Sequence, residues 1–113
     1  MTYPQLSGTG SAANGAADTE IIAATAGKIT RLQKAVVSVS LAAVGGGGEV
    51  ALEDAAGGTR IWEADADALG VYNIDFGELG YPLTAGNALN LTVDGAVTTQ
   101  ATAYCTAVAI QAD

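Results

Sequence analysis

Histidine is absent from this chain and cysteine occurs once. The first absence removes the side chain that most often acts as general base near neutral pH, partners a nucleophilic Ser or Cys, and ligates metal. A hydrolytic triad of the usual kind has no base here. The lone cysteine, Cys105, excludes an internal disulfide and any thiolate zinc cluster. Basic residues are scarce as well: four Lys and Arg stand against twelve Asp and Glu, for a formal net charge of -8. Affinity for a phosphate backbone comes mainly from Lys and Arg, so no direct nucleic-acid partner is expected. Aromatic residues make up 5% of the chain, with one Trp and one Phe, too few for the platforms of a sugar-cleaving site. The longest weakly polar run, Ala35 to Gly48, is broken by Ser38 and Ser40 and falls short of the ~18 to 20 apolar residues of a membrane span. No charged segment followed by an apolar one opens the chain. A soluble protein made in a cytoplasm, with no membrane partner, is the expectation.

What remains is abundant Ala, Val, Thr and Gly. At 113 residues the chain suits one domain, large enough to bury about two-thirds of its unfolded surface. Its hydrophobic half is mostly small side chains, which predicts a thin core such as two closely spaced sheets enclose. Thin cores in small domains lean on neighbours, so a homo-oligomer or a docked subunit is expected.

Period-two alternation runs through most of the chain. It is clearest from Asn87 to Gln111. There Leu89, Leu91 and Val93 oppose Asn90, Thr92 and Asp94, while Tyr104, Thr106, Val108 and Ile110 oppose Ala103, Cys105, Ala107 and Ala109. An Asp94-Gly95 turn between the two runs predicts a paired hairpin. Upstream, Thr19 to Thr25 and Lys28 to Leu41 read as strands joined at Ala26-Gly27, the second bent in its first half. Gly45 to Gly48 links to Glu49–Glu53, and Ala55 to Gly58 turns into Thr59–Ala64, giving two hairpins in succession. Val71 to Phe76 is a further strand, followed by an irregular connection from Gly77 to Asn87. No segment carries a helical repeat. The sum is an all-β fold: an antiparallel, jelly-roll-like sandwich of about seven or eight short strands over residues 18–113. Residues 1–17, low in complexity, read as a flexible N-terminal arm.

Candidate chemistry is sparse. Glu63, Asp65 and Asp67 are spaced by two and would share one side of an extended chain, a possible Ca²⁺ ligand set. Ala68 stands where an EF-hand needs its turn glycine, so an acidic solvated face is the better interpretation. Gly27-Lys28 fails as the end of a phosphate loop, because Ile22 and Ile29 occupy required Gly and Ser/Thr positions, and Gly45 to Gly48 fail because they precede a strand pattern rather than a helix. Asn90-Leu91-Thr92 is a chance sequon in a chain without a secretory signal. Trp62 reads as a core or subunit-contact residue, and Tyr3, Pro4 and Leu6 as partner contacts made by the arm. No enzymatic activity, cofactor or metal site is expected.

The run from Asp18 to Ile29, a long Val/Ser strand, a glycine hairpin, Tyr81 to Leu91 and a closing Thr/Ala/Tyr strand together resemble small β-sandwich structural proteins of tailed bacteriophages. These are of the capsid decoration and head-fibre type, and the similarity spans roughly residues 18–111. The resemblance implies a virion protein on the capsid exterior, synthesised in the bacterial host cytoplasm. It would bind the major capsid protein as a homo-oligomer, trimeric by preference. The alternative it leaves open is a head- or tail-fibre module that binds host-surface glycan through Trp62, Tyr72 and Tyr81.

Overall fold

Strict alternation, interrupted by glycine at the turns, sets where the strands begin and end. The computed structural model describes residues 5–13, 18–41, 48–65, 70–94 and 101–112, and every regular element among them is a strand. In chain order these are β1 Gln5–Ala13, β2 Thr19–Ile22, β3 Ile29–Leu41, β4 Glu49–Asp54, β5 Thr59–Asp65, β6 Gly70–Asp75, β7 Tyr81–Pro82, β8 Leu89–Asp94 and β9 Ala101–Ala112.

The pairing can be built by folding the chain as one long antiparallel ribbon and then rolling it. In the ribbon β1 pairs with β9, β2 with β8, β3 with β6 and β4 with β5. Rolling brings β3 against β9 and β4 against β8. Two sheets result, a first ordered β1-β9-β3-β6 and a second ordered β2-β8-β4-β5, with β7 added to β3 beyond the end of β6. This is the jelly-roll arrangement of an antiparallel sandwich.

The core lies between the sheets and is as thin as the composition requires. From the first sheet β9 contributes Ala103, Cys105, Ala107 and Ala109, all at most 1% exposed. The second sheet supplies the bulk, with Leu89, Leu91 and Val93 of β8 and Val50 and Leu52 of β4. A row of small side chains facing a row of large ones lets the layers interdigitate at interior density.

The closest approach is at the β1 edge. A Cβ on Gly8 would sit 1.8 Å from the carbonyl oxygen of Ile21, and one on Gly10 2.9 Å from the Ile21 Cδ1. Only glycine lets β1 cross this near to β2.

β3 bends where its pairing with β9 shifts between Leu32 and Lys34. The extra residue at this bulge, Gln33, switches the phase of burial. Thr30 and Leu32 point inward before it, and Ala35, Val37 and Val39 after it. The long Gly77–Asn87 connection is held by Asp54, whose carboxylate accepts hydrogen bonds from Thr84 N (2.9 Å), Thr84 Oγ1 (2.7 Å) and Asn87 Nδ2 (2.9 Å). Burial pushes the Asp54 carboxyl up, but these bonds more than offset it and hold it below the usual carboxylate range.

Three expectations are corrected. Residues Gln5–Ala13 of the expected flexible arm form β1, whose nine residues all pair with β9. Low side-chain complexity did not prevent order, because the backbone joins an existing ladder and the small side chains fit beneath it. β8 and β9 are not a hairpin: they lie in opposite sheets. Alternation reports one buried face and says nothing about the neighbour, and these two rows meet across the core instead. The Asp94-Gly95 turn itself falls outside the described residues at Gly95. Likewise β2 and β3 do not pair with each other, whereas the β4–β5 hairpin is present.

Candidate functional site

The two outer faces of the sandwich differ in chemistry. On the first sheet, the residues that point away from the core fall into cross-strand rows. Ser11, Tyr104, Ser38 and Val71 form one row; Thr9, Thr106, Val36 and Asn73 the next; Ser7, Val108, Lys34 and Asp75 a third. Tyr104 is 52% exposed, Val71 65% and Val36 44%. The hydroxyls of Thr9 and Thr106 lie 3.4 Å apart. In these rows of a chain carrying twelve acids, Asp75 is the one acidic side chain. Apolar and hydroxyl groups thus cover a sheet surface with almost no charge to desolvate. Near the Gln5 end, the β3 bulge opens a hollow of about 480 Å³ bordered by Gln5, Gln33, Lys34, Asp75 and Glu78.

The outer face of the second sheet is acidic. Glu20, Glu49, Glu63 and Asp65 are exposed there, and Arg60 stands among them. Its guanidinium pairs with Glu49 and Glu63, the latter at 2.9 Å, and approaches Glu53 at 4.0 Å. Glu53 is 5% exposed. Burial pushes its carboxyl up to about 7, with a hydrogen bond to Asp18 and the Asp18 charge adding to the effect. That same bond from Glu53 holds the Asp18 carboxyl below its ordinary range, helped by Thr92 and the Gly57 N–H. The Gly57 N–H points at both acids, 2.8 Å from Asp18 Oδ2 and 3.4 Å from Glu53 Oε1.

The residues singled out in the sequence are dispersed. Trp62 is half-buried against the core, its ring edge-on to Tyr72 with centroids 5.3 Å apart and planes at 61°. Since Trp62 is on β5 and Tyr72 on β6, this contact closes the side of the sandwich where the sheet edges meet. Tyr81 leans on Phe76 with centroids 5.6 Å apart. It pairs with Leu32 and Tyr72 with Val37, which separates them by roughly 17 Å along β3. Trp62, Tyr72 and Tyr81 do not converge on one platform. Leu6 is half-buried against the core from β1, while Tyr3 and Pro4 lie outside the described residues. Glu63 and Asp65 share the exposed face of β5, Glu63 held by Arg60, and Asp67 is outside the described residues. Among the described residues no cluster of three potential ligands for a metal ion forms. Cys105 is buried, and desolvation pushes its thiol up to about 11.

The Asp18–Glu53 pair was missed. Its signal was slight: Glu53 ends the otherwise apolar run of β4, and its partner is brought in from far along the chain by the rolled topology.

No family model matches the chain, and no curated protein matches it. Among solved structures it is similar to a protein of the Bacillus endospore appendages, described as forming a novel family of disulfide-linked pili. The two share 10% identity at a TM-score of 0.44, over 99% of this chain and 90% of that one. No helix among the described residues is long and apolar enough to cross a membrane.

Proposed function

We propose that the protein is a virion structural protein, a capsid decoration protein that docks on the outer surface of the major capsid lattice in many copies, as a homo-oligomer. The observation that carries this reading is the outer face of the first sheet. Tyr104, Val71 and Val36 are exposed there among hydroxyl side chains and one acid, in a chain of net charge -8. Exposed aromatic and aliphatic groups with little charge to desolvate are the composition of an interface centre. The exposed acids of the second sheet, Glu20, Glu49, Glu63 and Asp65, then face solvent, where self-repulsion keeps crowded copies soluble. Jelly rolls serve as viral coat domains and also as lectins, an analogy of fold and not of site.

Quantitative mass spectrometry of purified virions, scaled to the major capsid protein, tests it. Hundreds of copies per particle are expected. Absence from the particle, or a handful of copies, overturns the decoration role, the second outcome pointing to a fibre component.

A further inference from the structure

A sheet edge is a row of unpaired backbone N–H and C=O groups, and proteins blunt such edges with brevity, bulges, charge or proline. Three of the four edges of this sandwich are blunted. β2 has four residues and a register shift between Glu20 and Ile22. β5 carries Arg60, Glu63 and Asp65 and has a shift beside Trp62. The β6 edge is six residues long with Asp75 near its end, and Pro82 of β7 continues it.

β1 is the least protected: one edge carbonyl, that of Ser11, accepts a hydrogen bond from Thr19 Oγ1 at 2.7 Å, and nothing else of this kind covers it among the described residues. It runs nine residues, Gln-Leu-Ser-Gly-Thr-Gly-Ser-Ala-Ala, without a charge, a proline or a register shift. β9 takes one side of it, and among the described residues no strand pairs with the other.

We propose that β1 is a self-association edge, which pairs antiparallel with β1 of a second copy in a two-fold contact centred on Thr9. Charge selects this occupant. Joining two β2 edges would oppose Glu20 to a like charge, and two β5 edges would bring Glu63 and Asp65 together; two β1 strands oppose no charges at all. The register centred on Thr9 pairs every residue of the strand: Gln5 with Ala13, Leu6 with Ala12, Ser7 with Ser11 and Gly8 with Gly10. The outward row is then a hydroxyl ladder of Ser and Thr, which is favourable across strands. The inward row meets without crowding, since glycine opposes glycine and Leu6 opposes alanine. About one backbone hydrogen bond per residue pair forms, and two five-stranded sheets merge into one of ten, which doubles the weakly charged face that carries Tyr104. The contact is isologous and yields an even number of copies. It stands on the β1 edge alone and holds whether or not the capsid reading does.

Two double variants test it by sedimentation equilibrium of the purified chain. Ser7→Lys with Ser11→Lys places Lys against Lys twice across the two-fold axis, whereas Ser7→Lys with Ser11→Glu places Lys against Glu twice. The wild type is expected to be even-numbered. The Lys/Lys variant should associate on the order of tenfold or more weakly, and the Lys/Glu variant should recover wild-type association. Both substitutions lie on the exposed side of β1, and unchanged thermal midpoints would verify that the fold is intact. A wild type that stays monomeric, an odd-numbered assembly, or an assembly on which the two variants act alike overturns the proposal.

Discussion

Asp18 and Glu53 share the N–H of Gly57, at 2.8 Å from Asp18 Oδ2 and 3.4 Å from Glu53 Oε1. Burial together with Asp18 pushes the Glu53 carboxyl up to about 7, which favours a proton between the two acids. Residue 18, which leads into β2, is thereby tied to the β4–β5 hairpin across the second sheet. The shared proton is lost when Glu53 ionises, which makes the fold sensitive to pH near neutrality.

The sign follows from linkage. The folded Glu53 carboxyl titrates at about 7 against a model value of 4.5, so between those values the folded state holds more protons than the unfolded one. Stability therefore declines as pH rises through that window, by at most about 3 kcal/mol. Asp18 acts oppositely: its lowered folded value contributes stability above 3.8 that is lost as pH falls below it. Urea midpoints measured from pH 4.5 to 8.5 should fall as pH rises to about 7 and level off above it. Glu53→Gln keeps a neutral donor toward Asp18 and should flatten the profile. A flat wild-type profile would refute the shared proton.

Gly8 makes a sharper demand on sterics. Gly8→Ala would put a methyl carbon 1.8 Å from a backbone oxygen, which no rotamer change relieves, so β1 must move away from β2. A loss of about 1–3 kcal/mol is expected from such overpacking. Ser7→Ala, one residue away on the exposed side, should stay within about 0.5 kcal/mol. Equal effects of the two would mean that β1 does not lie against β2 as described.

Trp62 divides the glycan alternative from a packing role. Its edge-on contact with Tyr72 joins β5 to β6, so Trp62→Ala should cost roughly 2 kcal/mol of stability, less than the ~3–5 kcal/mol of a fully buried aromatic because the ring is only half-buried. Trp62→Phe should recover about half of that loss. Wild-type stability in the alanine variant, combined with lost adsorption of particles that carry it, would transfer Trp62 from the core to a recognition site.

The legible part of this fold was whatever depends on one strand at a time. Alternation located β3, β4, β6, β8 and β9 and the buried position of Cys105, and the dominance of Ala and Val announced a thin core. Partners were another matter, because a strand with one buried face satisfies the same pattern beside its sequence neighbour or across the core from it. β8 and β9 show this most clearly. β1 escaped notice since its Gly-Ser-Thr-Ala composition resembles a linker, and its order comes from β9 and from the close passage over Ile21. The Asp18–Glu53 pair could be found only once the roll was known. The face of the first sheet was half visible: the sequence alternated Tyr104 with Ala103 and Cys105, but the bulge at Gln33 decides that Lys34, Val36 and Ser38 stand beside it.

Tyr104 and Val71 lie in one cross-strand row with Ser38 between them, and they separate docking from folding. Both are more than half exposed, so replacing them takes little from the core. Tyr104→Asp with Val71→Asp should change stability by no more than about 1 kcal/mol, a surface-sized effect at each site. The same pair puts two negative charges into the centre of the proposed docking face, where they would have to be desolvated without partners. Binding to the partner surface should drop by a factor of a hundred or more, on the order of 3 kcal/mol, as buried unpaired charge requires. Particles assembled without the protein and then mixed with purified wild type or variant supply the measurement, read as copies retained after sedimentation. Lys34→Ala, on the next row but one, should leave retention within a few-fold of wild type, because it neither adds charge nor removes an apolar contact. Retention of the double aspartate variant at the wild-type level would mean that the first sheet faces solvent and that any docking uses the acidic face instead.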